Sequence, residues 1–151
     1  MKEFTLLTID TSTKFASVSI SHNYKILHNI EWFSEQNHSI ELMPNVQKCL
    51  DASEKKVSEI THIGVALGPG GFSSLRVGIS TALGISLPNS IITLGIPTFL
   101  IEFFEYKNSY DNLIAFLPAG RNKYAWKKYK NTMTFLPDGV DTSEEISKIL
   151  S

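Results

Sequence analysis

The feature that most constrains this chain is the junction Gly68-Pro69-Gly70-Gly71-Phe72-Ser73-Ser74-Leu75-Arg76, where an apolar run breaks on glycine and a helical pattern begins at once. Ile60 to Leu67 ahead of it reads as a strand, and the spacing from about Ser73 to Leu87 reads as a helix stopped by Pro88. A strand feeding a glycine turn and then a helix is a building unit of α/β proteins. The glycines permit a sharp turn with positive φ and a close backbone approach to another molecule. The helix that follows directs unpaired N–H groups and a partial positive charge outward, with Arg76 about one turn in. No Gly-Lys-Ser/Thr follows, so this is not a Walker loop, and the glycine spacing is not that of a dinucleotide fingerprint. Two readings stay open: an anion cradle made of Gly68, Pro69, Gly70, Gly71, Phe72, Ser73 and Arg76, or a turn built for tight strand-to-helix packing.

The segments around the junction narrow the fold. Thr5 to Asp10, Phe15 to His22 and Tyr24 to Phe33 read as three strands of a meander, the second alternating Ala16, Val18 and Ile20 against small polar residues. From Ser39 to Ala52 the period changes to that of a helix, with His38-Ser39 as its expected N-cap and Pro44 in its first turns. After the junction, Ser90 to Leu94 and Leu113 to Leu117 read as strands and Thr98 to Lys107 as an aromatic-rich helix. Lys123 to Lys130 and Thr132 to Leu136 read as a hairpin, and Thr142-Ser143-Glu144-Glu145 has the spacing of a capping box that opens a last helix. Three antiparallel strands followed by alternating helix and strand suit an actin-like (ASKHA, ribonuclease-H-like) lobe with a mixed sheet; a Rossmann sheet would open β-α-β. The expected organisation is a first lobe over residues 1–110 and a reduced second lobe over 111–151, with Asn108 to Asn112 as the candidate hinge.

Composition excludes several classes. The chain has 151 residues, 42% of them hydrophobic, and a formal net charge of −1, which suits a globular domain and argues against broad nucleic-acid binding. No apolar run reaches the roughly 18 residues of a spanning helix, and the first strand meets Asp10 too early for a secretory leader. The expectation is a cytoplasmic protein without membrane contact. The lone Cys49 rules out an internal disulfide and reads as a small buried or interface residue.

Four features carry candidate chemistry. Asp10, Ser12 and Thr13 end the first strand; short hydroxyls and bare N–H groups there can approach an anion, or they can simply close an Asx or Ser/Thr turn. The four histidines, His22, His28, His38 and His62, include no i, i+4 pair that would set two imidazoles on one helix face. Gly78, Thr81, Ala82 and Ile85 form a narrow helical face that either admits a partner helix or packs on the chain's own sheet, with Leu75, Ile79 and Leu83 serving the other side. Arg121 to Lys130 is the one basic patch, interleaved with aromatics; a structural hairpin is the plainer reading, base stacking the bolder one.

Three blocks in order, Asp10-Thr11-Ser12-Thr13, His38-Ser39 with Leu42-Met43-Pro44, and Gly68 through Ala82, closely resemble the TsaB (YeaZ) family, within the wider glycoprotease-like (M22) group. The third block is the specific one, and coverage is good from residue 4 to about residue 100. The resemblance implies an actin-like fold and a non-catalytic role in threonylcarbamoylation of adenosine 37 of tRNA. In that role the chain would bind and support a TsaD-like catalytic subunit, with a TsaE-like ATPase joining. It also implies that the helices flanking the glycine loop form the pairing surface, through His38, Ser39, Leu42, Met43, Val46, Gly78, Thr81, Ala82 and Ile85. ATP and a metal would then belong to the partner subunits, none being held by this chain alone, and tRNA would be met only indirectly. A homodimer is a further possibility. The alternatives are an actin-like enzyme using ATP at Asp10, Thr13 and the glycine loop, and a degenerate homodimeric homologue. Two departures stand out: Gly71 and Ser74 occupy places where the family usually shows Ser and Gly, and Pro118-Ala119-Gly120-Arg121 lacks the usual acidic residue.

Overall fold

The computed structural model describes residues 3–130 and 138–150. Thr132 to Leu136, expected as one arm of a hairpin, lie outside the described residues. Strands β1 (Thr5–Asp10), β2 (Phe15–His22) and β3 (Lys25–Phe33) form the antiparallel meander, followed by α1 (His38–Ala52), β4 (His62–Gly68), α2 (Phe72–Asn89), β5 (Ile92–Pro97) and α3 (Thr98–Phe104). The first sheet has the order β3-β2-β1-β4-β5, with β4 and β5 parallel to β1. A second sheet, β6 (Asn112–Gly120), β7 (Lys123–Lys130) and β8 (Asp138–Thr142), is antiparallel in chain order and is followed by α4 (Ser143–Leu150).

Alternation explains the first sheet. Thr5, Leu7 and Ile9 are buried on one face of β1, and Ala16, Val18 and Ile20 on β2. The register sets Ile20, Leu7 and Ile63 side by side across three strands, and Val18, Ile9 and Val65 likewise. Leu42, Val46, Cys49 and Leu50 of α1 and Ala82 of α2 complete this core. Full burial of each large aliphatic side chain contributes about 1.5–3 kcal/mol relative to exposure. A second, smaller cluster joins Phe99 and Phe103 of α3 to Leu117 of β6 and Ala125 of β7.

Four expectations need correction. The N-cap of α1 is Asn37, without a side-chain cap, because His38 turns inward to bond Thr13 O. Helix α2 runs through Pro88 to Asn89 and ends on Ser90 in the left-handed region, φ 54°. Pro88 has no N–H to give Gly84 O, and one residue on Asn89 Nδ2 donates to Ile85 O at 2.8 Å, so the helix ends within a turn of the proline. Helix α3 stops at Phe104, three residues short of Lys107. The fourth concerns the narrow face of α2: of its two readings, packing on the chain's own sheet holds for Gly78 and Ala82, buried with Ser86, while Leu83 is 42% exposed. Small residues serve here to bring α2 close to β1, since a Cβ on Gly78 would meet Thr11 Oγ1 and Ile9 Cγ2.

Candidate functional site

Three chain segments meet at the carboxyl ends of β1 and β4. Thr11 and Ser12 are buried, at 1% and 2% exposure, and their polar groups are committed inside the protein. Thr11 Oγ1 donates to Ser74 O at 2.7 Å, fastening the β1 turn to the first turn of α2. Ser12 N–H and Ser12 Oγ both donate to Asp10 Oδ1, at 2.8 and 2.6 Å. Gly71 N–H donates to Ser12 O at 2.9 Å, and a Cβ on Gly70 would collide with that same carbonyl. Gly68 takes φ 104°, a value for which glycine is suited, and the peptide to Pro69 is cis. Thr13 Oγ1 closes a local turn with Phe15, and Thr13 O is held by His38 Nε2 at 3.1 Å. The Asp10–Thr13 turn, the glycine turn and the start of α1 are therefore one interlocked unit.

That interlock decides how well a nucleotide phosphate fits. The hydroxyls of Thr11 and Ser12 and the N–H groups of Ser12 and Gly71, four of the donors such a group could use, already have protein acceptors. Those four donors therefore serve the interlock itself, and Asp10 Oδ1 is spent on Ser12. Glu102 of α3 is the one further acidic residue that bears on Asp10. Partial burial, with the Asp10 charge second, pushes its carboxyl above the ordinary glutamate value. No sequence signal marks Glu102, because the two carboxylates are brought together only by the fold.

The flanking helices offer a surface instead. Ser39 of α1 and Ser73, Arg76, Val77, Ser80 and Thr81 of α2 line a shallow groove between the two helices. Arg76 lies over the Phe72 ring at 5.4 Å rather than turning into the loop. On α2, Arg76, Ser80, Leu83 and Leu87 are exposed at helical spacing, Leu87 by 74%. On α1, Ile40 is 71% and Met43 49% exposed. Of the expected pairing residues, Ser39 and Met43 are exposed and Thr81 and Ile85 half-buried, while His38, Leu42, Val46, Gly78 and Ala82 are buried. Ile40, Phe72, Leu83 and Leu87, absent from that expected set, are with Met43 the large apolar side chains that the two helices leave in solvent.

The basic patch resolves as a strand. Trp126 is buried and donates from Nε1 to Asp141 Oδ2 at 2.6 Å, and Lys127 pairs with Asp138 at 2.9 Å. The Cys49 thiol is fully buried, and burial raises its pKa, partly offset by a backbone hydrogen bond from Ile20. Among the described residues no helix is long and apolar enough to cross a membrane.

Known proteins share this arrangement. A family model described as TsaD, tRNA N6-adenosine threonylcarbamoyltransferase, matches residues 30–148. A tRNA threonylcarbamoyladenosine biosynthesis protein TsaB of Buchnera aphidicola subsp. Baizongia pistaciae is 29% identical over 83% of this chain, and the Escherichia coli protein of the same name is 25% identical over 91%. The chain belongs to the TsaB (YeaZ) family. It spans 58% of the Buchnera relative's length and 60% of the E. coli one's. YeaZ from Pseudomonas aeruginosa superposes with a TM-score of 0.80 at 22% identity, covering 91% of this chain and 67% of its own, so the fold of this family member is the actin-like α/β fold.

Proposed function

We propose that this chain is a non-catalytic subunit that supports a TsaD-like enzyme in threonylcarbamoylation of adenosine 37 of tRNA. The observation that carries this reading is family membership, through relatives named as tRNA threonylcarbamoyladenosine biosynthesis proteins TsaB. Support for an accessory role over the actin-like ATPase alternative comes from the Thr11 and Ser12 donors, which are committed internally. Docking takes place on the outer side of α1 and α2, where Ile40, Met43, Leu83 and Leu87 present apolar surface around Arg76. ATP and the metal are held by the TsaD-like and TsaE-like partners, and this chain reaches tRNA through them, in the cytoplasm. A homodimer on the same face competes with the heterodimer.

Co-purification with the TsaD-like protein of the same organism tests the reading. Met43→Glu together with Leu83→Glu is expected to abolish the complex while leaving the isolated chain folded by circular dichroism. A complex that survives both charges places docking elsewhere, and tight binding of Mg-ATP by the isolated chain would instead favour the enzyme.

A further inference from the structure

A second cavity lies on the other side of the glycine turn, between α3 and the second sheet. Gly68, Pro69 and Pro97, at the ends of β4 and β5, border a space of about 870 Å³. Small-molecule sites commonly have about 300–1,000 Å³ and mostly apolar walls. The walls here are Phe99, Leu100, Phe103 and Phe104 of α3 with Leu113 and Tyr129 of the second sheet. Phe103 and Tyr129 lie against each other with their ring planes tilted by 48° and form the inner wall. Leu100 and Phe104 are 44% and 65% exposed.

The polar rim determines what fits. Its two acids are engaged: Asp138 pairs with Lys127 at 2.9 Å, and Asp111 has an interaction of its own. Among the described residues, Lys107 and Lys130 have no carboxylate within ion-pair distance; Lys107 Nζ instead lies 3.8 Å from the Phe104 ring centroid. The Tyr129 phenol, protonated at neutral pH as tyrosine ordinarily is, stands as a donor, and partial burial raises its pKa further. The rim thus offers ammonium, phenol and Asn108 amide donors around an aromatic wall.

We propose that this cavity binds a small organic anion with a flat apolar body, its ring against Leu100 and Phe104 and its charged group between Lys107 and Lys130. The site is separate from the α1–α2 face and does not depend on the role in tRNA modification.

The test is an NMR titration of the full chain, 15N-labelled, with 1-naphthalenesulfonate, neutral 1-naphthalenemethanol and cationic 1-naphthylmethylamine. The anion is expected to shift amides of α3, β6 and β7 and to bind about tenfold more tightly than the cation, as two unpaired ammonium groups favour. Lys107→Ala with Lys130→Ala should weaken the anion about tenfold and leave the neutral probe unchanged. Leu100→Glu should abolish binding of both, and Lys25→Ala on β3, at the far edge of the first sheet, should alter neither. Equal affinity for anion and cation, shifts confined to α1 and α2, or no shifts at millimolar probe would each overturn the proposal. The amide spectra of the variants report their folding in the same experiment.

Discussion

The departure at Gly71 and Ser74 has a local physical explanation. Gly71 is the N-cap of α2, with φ −62° and ψ 121°, a conformation any residue can take, so flexibility is not why glycine stands there. Ser74 Oγ donates back to Gly71 O at 2.9 Å, and a Cβ on Gly71 would lie 2.6 Å from that oxygen. The two positions are therefore coupled. Gly71→Ser alone forces Ser74 to give up its hydrogen bond, whereas Gly71→Ser with Ser74→Gly frees a serine to cap the helix. A urea-denaturation double-mutant cycle should return a favourable coupling of about 1 kcal/mol. Gly78 is less forgiving, since its missing Cβ is the space that Thr11 occupies, and Gly78→Ala should lower stability by about 1–3 kcal/mol in the same assay. Gly78→Arg or Ala82→Arg would accordingly report on folding before docking. Glu102 provides a pH signature. Its folded pKa is raised, so its contribution to stability is full below the unfolded glutamate value and is lost as pH rises through the folded one. Glu102→Gln should flatten that loss and raise the melting temperature slightly near neutral pH; its exposure keeps the effect small. A slope unchanged from the parent across a pH series would contradict the assignment.

At the scale of elements, what the sequence made legible followed from periodicity. Strands β1 and β2 alternate and helix α1 repeats strongly enough that their residues sort onto a buried side, and β4 is a continuous apolar run buried from Ile63 to Ala66. The capping box before α4 was equally plain and is present: Thr142 N–H and Oγ1 both donate to Glu145 Oε2 at 2.9 Å. Strand β8 was not legible, because Asp138-Gly139-Val140-Asp141-Thr142 has no apolar alternation. It is held by a neighbour instead: Gly139 lies flat under the Trp126 indole, where a Cβ would come within 3.0 Å, and Asp141 accepts the indole N–H. The buried side of α2 stayed open between two readings for a similar reason. Hydrophobicity points Leu83 inward, but the close approach of β1 admits only Gly78, Ala82 and Ser86. The exposed leucines then become the informative residues. Leu83→Glu should leave urea stability within about 0.5 kcal/mol, as expected for a surface change, while weakening pull-down of the TsaD-like partner.

For the molecule as a whole, two hydrophobic clusters of unequal size set the order of opening. The larger one joins both helices to three central strands, and the smaller rests on Phe99, Phe103, Leu117 and Ala125. Regions with fewer buried contacts open at lower free energy. Amide hydrogen exchange should therefore be slowest in β1, β2 and β4 and clearly faster in β6 to β8, with the glycine turn following the first group because it is tied to β1 through Thr11 and Ser12. Uniform protection across both sheets would mean that the small cluster opens only with the large one. The interlocked turn itself could not be read from composition: the same hydroxyls and glycines serve a phosphate or one another, and only the short distances distinguish the two.

Cys49 gives this core a chemical clock. Its Sγ sits beneath α1, 3.8 Å from Val18 O and 3.7 Å from His28 O, with no exposed surface. An alkylating reagent reaches the thiol only when α1 lifts from β2 and β3, so the rate of labelling counts those departures. A partner seated on the outer face of α1 would hold the helix down and slow the reaction without ever touching the sulfur.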